Sequence, residues 1–557
     1  MTRVYLAYAV SGFVSLGYQV AWFRVFTDWF GSTNTTFALV VANFIGGLAV
    51  GALWSRPTTA ALARLPGRWH GLRLYGLVEL LVAISVLGTF AAGQLPADLW
   101  GSFPYALRDG IWVQTAGYRL AQGTLAAACV FVPCFFMGVT FPLLCDRFRS
   151  HARGARFPAA LYAWNTLGAC SGVLACQFVF LPRVGHDATL AWMAAANAVL
   201  GAAFLVSRSD FGIAAASPAE PPPRGPASVS ATPVALIALV TLGGFLAGAL
   251  EGDLFKRVSF VIEVNPGATM SFISFWAVLA IFLASASVQR SGRLRLLPIQ
   301  LAFTAAAAYA FASWLSIDAI RDFVEASVLP VPVEIDRNLE GMRNLQFPTS
   351  LVQLLAFTGI LVFPPYYLVS LLLPSVCNHL QGDQRHLGLA YGLNTLAFCV
   401  GFLAFVLFVP KVNVFYSFKL FSLLFGLCAG WLLLLRDTRS LPVWKPLLLA
   451  AAVAVTAVLV PADFDRRFFR QGSLPATQPI RALKSDGAHT TFLVDVFGAP
   501  RLFFGRLQMT TSNLRARTYM RLMAHFPLLL HPNPQRALLI CLGVGNTGSA
   551  IATHPSI

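Results

Sequence analysis

The chain has 557 residues, of which 57% are hydrophobic and 11% are charged, and its formal net charge is +17. A soluble domain has about 25% charged residues, so this composition excludes an ordinary soluble protein and predicts a chain that lies largely in a lipid bilayer. The basicity does not indicate nucleic-acid binding, because clusters of arginines lie in short loops between apolar runs, as in membrane proteins.

Twelve apolar runs follow one another along the chain, each of about the 20 residues that a helix needs to cross a hydrocarbon core. The first six predicted spans are 4–26, 36–54, 72–95, 120–144, 159–181 and 188–206. The second six are 234–254, 270–287, 297–315, 351–373, 389–409 and 415–435. A Pro-, Ala- and Ser-rich segment, 208–232, separates them and is typical of a flexible linker. We therefore expect two membrane units, 1–207 and 233–436.

The two units carry the same motifs in the same order. Pro142-x-x-Cys145, Asn165-Thr166-Leu167 and a closing Pro182 return as Pro374-x-x-Cys377, Asn394-Thr395-Leu396 and Pro410. Gly12-Phe13 followed by Phe23-Arg24 returns as Gly244-Phe245 followed by Phe255-Lys256. The sequence is therefore interpreted as a duplicated membrane domain.

The loop charges predict how the two units are oriented. Arginines are concentrated after the second, fourth and eighth spans, whereas the long loop after the ninth carries six acidic residues. By the positive-inside rule the even-numbered loops and the N-terminus face the cytoplasm. Both units then begin on the same side, which predicts two parallel six-helix repeats, as in major-facilitator transporters.

Several polar side chains lie in or next to the predicted spans, where a bilayer disfavours them. The candidates are Gln19, Arg24, Glu79, Asn165, Glu251 and Asn394. Glu79 needs a partner or a proton, and the hypothesis is that it pairs with Arg24 inside the first unit. The alternative is a purely structural role, and for the two asparagines a structural hydrogen bond between helices is favoured.

The last part of the chain changes character. A short apolar run, 446–461 within 437–462, is able to cross the bilayer or lie along it, and this leaves the side of the following region open. Region 463–557 has a soluble composition: it predicts a β-hairpin with a Gly/Pro turn at 498–500, a helix at 518–530 and a buried parallel strand at 536–542. Gly543-x-Gly545-x-x-Gly548 follows that strand directly.

A Gly-x-Gly-x-x-Gly motif between a strand and a helix favours binding of an adenosine-containing ligand, because the glycines allow a tight turn and a close approach to the helix N-terminus. A tight turn in another kind of α/β unit is the alternative. The fold predicted for the whole chain is therefore an α-helical polytopic membrane protein, followed by a partial α/β domain with the start of a Rossmann-like nucleotide-binding fold.

The residues that follow the hairpin suggest a family. Gly505-x-x-Gln508, Tyr519, His531-Pro532-Asn533-Pro534 and the glycine loop resemble the polyamine aminopropyltransferases, the spermidine synthases. In the membrane part, Ser11-Gly12-Phe13, Tyr18-Gln19-Val20 and Asn165-Thr166-Leu167-Gly168 resemble proteins that fuse a major-facilitator-like region to a spermidine synthase.

This resemblance implies transfer of an aminopropyl group from decarboxylated S-adenosylmethionine to an amine. It implies that Gly543, Gly545, Asn546 and Gly548 bind the donor and that Gln508 and Tyr519 line the substrate pocket. The chain departs from the family pattern where acidic residues are expected: it has Asn546 in the loop, Ser512-Asn513 after the glutamine, and Met520-Arg521 after Tyr519. The family's second strand and the loop with its catalytic aspartate are absent from the sequence up to Ile557, so we expect no complete catalytic site in this chain, which is either part of a longer enzyme or a membrane protein with a remnant of one.

Two function classes follow, a membrane-tethered aminopropyltransferase-like enzyme and a transporter or scaffold with a nucleotide-binding remnant; a methyltransferase is a weaker third option. The expected location is a bacterial inner membrane, and the expected partners are the bilayer and a small amine, with no nucleic acid. A homo-oligomer is left open. No disulfide framework or metal site is indicated, because the nine cysteines include no Cys-x-x-Cys pair.

Overall fold

A computed structural model describes most of the two membrane units and the C-terminal region. It covers residues 2–30, 34–65, 72–93, 105–108, 111–148, 157–206, 233–262, 266–291, 296–328, 350–380, 384–408, 480–485, 490–496, 498–504 and 507–557, and the single positions 444, 451 and 455. The predicted linker, the twelfth span and the apolar run 446–461 lie largely or wholly outside these residues.

The first unit is a bundle of long apolar helices. These are α1 (Thr2–Phe30), α2 (Asn34–Leu53), the short α3 (Ser55–Ala63), α4 (Leu72–Gly93), α5 (Ala116–Arg147), α6 (Phe157–Ala175) and α7 (Leu181–Val206). A small hairpin, β1 (Tyr105–Arg108) and β2 (Ile111–Gln114), precedes α5. A π-helical turn, Cys176–Phe180, joins α6 to α7.

The described residues of the second unit form α8 (Pro233–Val261), α9 (Pro266–Ser291), α10 (Leu296–Leu315), the amphipathic α11 (Ile317–Ser327), α12 (Leu351–Val369), α13 (Leu372–His379) and α14 (Gln384–Leu403). Buried aromatic and aliphatic side chains fill both bundles. Trp22, Tyr18 and Cys134 belong to the core of the first, and Phe303, Phe357 and Phe402 belong to a larger core that also takes in residues of the first unit.

Nine helical segments of the described residues are long and apolar enough to cross a membrane, so the protein is a multi-pass membrane protein. The fifth and sixth predicted spans form one of these segments, Phe157–Val206. Gly185, at φ 75°, breaks its helical geometry and divides it into two. The ninth predicted span coincides with α10, which is not one of these nine segments. Its apolar stretch, Leu301–Ala310, is shorter.

Glycines allow the first and fifth spans of each unit to pack at close range. A methyl group on Gly12 of α1 would overlap the backbone oxygen of Asn165 on α6, and one on Gly244 of α8 would overlap that of Asn394 on α14. Gly172 lies in the same way against the Phe13 carbonyl. Small residues bring membrane helices together because dispersion contacts, rather than the hydrophobic effect, hold them in lipid.

The C-terminal region contains a four-stranded antiparallel sheet in the order β3-β4-β5-β6. Its strands are β3 (Ile480–Ser485), β4 (Thr490–Val496), β5 (Ala499–Phe504) and β6 (Leu507–Thr511). The predicted hairpin is confirmed as β4 and β5, with Gly498 at φ 78° in the turn. The predicted helix is confirmed as α15 (Leu514–Leu530), which begins earlier because Asn513 caps it by accepting a hydrogen bond from the Ala516 N–H.

The predicted buried parallel strand at 536–542 is wrong. This segment forms no strand, and its alternate side chains Leu538, Ile540 and Leu542 are 87%, 76% and 67% exposed. A parallel strand requires neighbouring strands for its hydrogen bonds and for its burial, and none of the described residues supplies them. The following helix, α16 (Asn546–Ile551), is present.

Candidate functional site

Glu79 lies at a buried polar site inside the first unit. Its carboxylate accepts a hydrogen bond from Ser11 Oγ on α1 at 2.9 Å and another from Asn197 Nδ2 on α7 at 2.6 Å. Ser11, Glu79 and Asn197 each lie seven to nine residues from the terminus of their helix at one end of the bundle, the end at which α1 begins. At 1.5 Å per residue this depth is about 10–14 Å. Three helices therefore converge on one carboxyl group.

The predicted ion pair between Arg24 and Glu79 is wrong. Arg24 lies 13 residues further along α1 than Ser11, or about 20 Å. Its guanidinium lies against Gly267 near the start of α9, where an added Cβ would come within 2.5 Å of Nη2. The two charges therefore lie in the first unit at different depths and do not meet.

Asn165 and Asn394 make corresponding hydrogen bonds. Asn165 Nδ2 donates to the Tyr8 carbonyl oxygen at 3.2 Å, and Asn394 Nδ2 donates to the Val240 carbonyl oxygen at 2.8 Å. In each unit the bond joins the fifth span to the first, one turn before the close glycine contact. This geometry matches the structural role that the sequence favoured for both residues.

Glu251 provides a second carboxylate, on α8 of the second unit. Tyr366 of α12 donates its hydroxyl proton to Oε2 at 2.7 Å. The side chain is half-buried, and its other oxygen makes no hydrogen bond within the described part of the chain. In the first unit Gln19 stands at the position that corresponds to Glu251, and it is also half-buried.

The two units meet along two pairs of helices, α2 with α14 and α6 with α9. Cys170 and Cys399, which correspond in the sequence repeat, both lie at this interface. Cys170 Sγ on α6 lies 3.9 Å from the Phe275 carbonyl oxygen of α9. Cys399 Sγ on α14 lies 3.6 Å from the Ala42 carbonyl oxygen of α2. Each cysteine thus contacts the backbone of the opposite unit.

Aromatic rings join the two units near the end at which α1 begins. The Tyr391 ring lies 4.6 Å from that of Phe141 and 6.1 Å from that of Tyr162, measured between ring centroids. A cavity of about 340 Å³ lies at the same end, lined among others by Ser55, Arg56 and Asp146. The aromatic contact and the cavity therefore lie at the same end of the bundle.

The glycine loop of the C-terminal region forms a turn into α16, as its motif predicts, with Gly543 at φ 59° and Gly545 at φ 84°. Gly543 packs closely against Thr510 of β6, and Gly548 packs against Leu542. Asn546 is buried and donates from Nδ2 to the Thr511 carbonyl oxygen at 2.9 Å. The loop is therefore packed against the sheet and α15 by its own contacts.

The other two residues of the predicted substrate pocket do not converge on this loop through any contact between described residues. Gln508 Oε1 accepts a hydrogen bond from Arg501 Nη1 at 3.1 Å, and Tyr519 is 51% exposed on α15. Partial burial lowers the pKa of the Arg501 guanidinium, although an arginine remains charged at neutral pH. Met520, the residue after Tyr519, does contact the loop: its carbonyl oxygen accepts a hydrogen bond from Thr547 Oγ1 at 3.1 Å.

Sequence reasoning missed Ser11, Asn197 and Tyr366 as partners of the two carboxylates. Asn197 is an asparagine inside a predicted span, the same signal that singled out Asn165, and Ser11 occurs in a motif used for the family resemblance. Tyr366 follows Pro364-Pro365 in an apolar run and gives no comparable signal. No group of three His, Cys, Asp or Glu side chains able to hold a metal occurs among the described residues.

Comparison with protein-family models gives no match, and no curated protein sequence is significantly similar to the chain.

Proposed function

We propose that the membrane part is a transporter for a small cationic solute, an amine, and that its two units are related by a pseudo-twofold axis along the membrane normal. The interface between the units carries this proposal. Exchange of the two units about this axis puts α2 in the place of α9 and α14 in the place of α6. The α2–α14 contact then becomes the α9–α6 contact. The contacts of Cys170 and Cys399 are exchanged by the same operation.

Two units that meet along two helix pairs are able to rock against each other and open a path at one end or the other. At the end of the bundle where α1 begins, such a path would close at the contact between the rings of Phe141, Tyr162 and Tyr391. Under the predicted topology this is the cytoplasmic end, and the two units are major-facilitator-like repeats. The inner membrane location and the cytoplasmic N-terminus belong to this proposal.

The cationic nature of the solute rests on Glu251. Tyr366 fixes one carboxylate oxygen, and the other is left to bind an ammonium group. A fixed carboxylate in a medium of low dielectric constant attracts a cation more strongly than it would in water. Gln19, at the corresponding position of the first unit, offers a neutral amide to the same class of ligand.

The test is uptake of labelled putrescine or spermidine into proteoliposomes that contain the full chain. We expect uptake that saturates with solute concentration and falls at least tenfold in Glu251→Gln. Glu325→Gln makes the same change of charge on α11 and serves as the matched control, which should transport like wild type. Absence of saturable amine uptake by correctly folded wild-type protein would contradict the proposal.

A second candidate, aminopropyl transfer, is favoured by the turn of the glycine loop into α16. Decarboxylated S-adenosylmethionine would then be the donor, and release of methylthioadenosine in the presence of putrescine is the measurement. Transport without methylthioadenosine release favours the first proposal, and release without transport favours the second.

A further inference from the structure

The Glu79 site has more buried oxygen atoms than its hydrogen bonds use. Glu79 is 1% exposed and Asn197 is 2% exposed. Asn197 Oδ1 and the buried hydroxyl of Tyr18 make no hydrogen bond, and the buried hydroxyl of Tyr75 faces Ser11 and the Glu79 carboxyl group. Buried polar atoms without partners carry a free-energy cost, so their accumulation around one carboxyl group points to a ligand or a proton.

No positive charge balances Glu79 among the groups that face it in the described residues. Tyr8 and Tyr18 face it from α1 and Tyr75 from its own helix, while α7 contributes the neutral Asn197. Cys134 of α5 interacts with Tyr18. None of these side chains is cationic at neutral pH. An ionised carboxylate without a positively charged partner is disfavoured at this depth.

The distance between Asn197 and Glu79 is informative. At 2.6 Å it is shorter than the usual 2.7–3.2 Å of an N–H···O bond and lies within the 2.5–3.0 Å range of an O–H···O bond. The two ends of an asparagine amide are assigned from the hydrogen-bond network around them. If the amide is turned, Asn197 Oδ1 accepts a hydrogen bond from a proton carried by Glu79 Oε2.

We propose that Glu79, Ser11 and Asn197 form a proton-binding site within the first unit, separate from the amine site at Glu251. Binding forms an O–H bond at Oε2 with a proton from water and neutralises the carboxylate, and release returns the proton to water at the end of the bundle where α1 begins. Ser11 donates to Oε1 in both states. Coupling of this proton to movement of the amine rests on the transport function proposed above.

Infrared difference spectroscopy after a pH change tests the site directly, using the full chain in lipid nanodiscs. We expect a carboxylic acid C=O band that disappears in Glu79→Gln and persists in Glu251→Gln. Asn197→Leu should shift the frequency of this band because it removes the acceptor, and Ser11→Ala should shift it because it removes the donor to the carbonyl oxygen. A shift without loss of the band identifies the neighbours even if Glu79→Gln folds poorly.

Two results would overturn the proton site. One is a spectrum in which Glu79 stays ionised over the whole pH range in which the protein is folded. The other is a Glu79 signal that responds to replacement of choline by sodium at constant pH, which would identify a metal-cation site instead.

The infrared band of Glu79 and the uptake of amine, measured on the same protein, separate the two proposals. A Glu79 band without amine uptake leaves the proton site standing and removes the transporter. Amine uptake without a Glu79 band does the reverse.

Discussion

Tyr162 and Tyr391 occupy corresponding positions in the two halves of the sequence repeat, and their rings contact each other, with centroids 6.1 Å apart and planes at 84°. Residues related by a twofold axis touch only if they lie next to that axis. The two tyrosines therefore identify where the axis of the proposed duplicated domain would pass at this end of the bundle.

Replacement of both tyrosines should show that they interact. In a double-mutant cycle with Tyr162→Ala and Tyr391→Ala, we expect a coupling of about 0.5–1.5 kcal/mol in the free energy of unfolding, because an edge-to-face ring pair contributes this much beyond burial. Reversible unfolding in mixed micelles gives the values. Tyr391→Phe keeps the ring and should retain most of the coupling. Strictly additive effects would mean that the contact has no energetic consequence.

Gly12 and Gly244 should be intolerant of a side chain. Alanine at either position overlaps the backbone of the fifth span of its unit, so each substitution should lower the free energy of unfolding by about 1–3 kcal/mol. Gly123→Ala on α5 is the control, since no atom lies within 4 Å of its added Cβ. Thermal unfolding of the three variants makes the comparison, and similar midpoints for all three would contradict the close packing.

Asn165 and Asn394 should contribute similarly to stability. Leucine at either position removes one interhelical hydrogen bond and should cost about 0.6–2 kcal/mol. The two variants can be compared by urea unfolding in mixed micelles. A large loss of amine uptake at unchanged stability would instead assign the asparagines to the transport path.

Asn546→Asp introduces the acidic residue that the resemblance to spermidine synthases would lead one to expect in this loop, and it should destabilise the C-terminal region. A carboxylate cannot donate to the Thr511 carbonyl oxygen, and it would place a negative charge against that oxygen in a buried position. We expect faster hydrogen exchange in α15 and α16, corresponding to a loss of about 1–3 kcal/mol.

Asn513→Asp is the matched control for this experiment. The side chain at position 513 accepts a hydrogen bond from the Ala516 N–H at the start of α15, and an aspartate accepts it equally well. Exchange in α15 should therefore be unchanged or slower. Equal effects of the two aspartates would show that charge, rather than the lost donor, controls this region.

Sequence reasoning anticipated the elements whose signal is local. The apolar runs predicted the membrane helices, since length and hydrophobicity alone decide whether a segment crosses a bilayer. Gly498 and the alternating pattern around it predicted the β4–β5 hairpin, and the glycine loop predicted the turn into α16. In each case the residues concerned carry the conformational preference themselves.

The sequence by itself determined that the chain is a multi-pass membrane protein with motifs repeated at positions such as Asn165 and Asn394. Only the tertiary structure decided which polar groups meet. Glu79 finds Ser11 and Asn197 rather than Arg24, because the partner of a buried charge depends on how the helices are rotated and packed, which apolar periodicity leaves open. Segment 536–542 likewise needs neighbouring strands to become a strand, and a strand's pattern does not supply them.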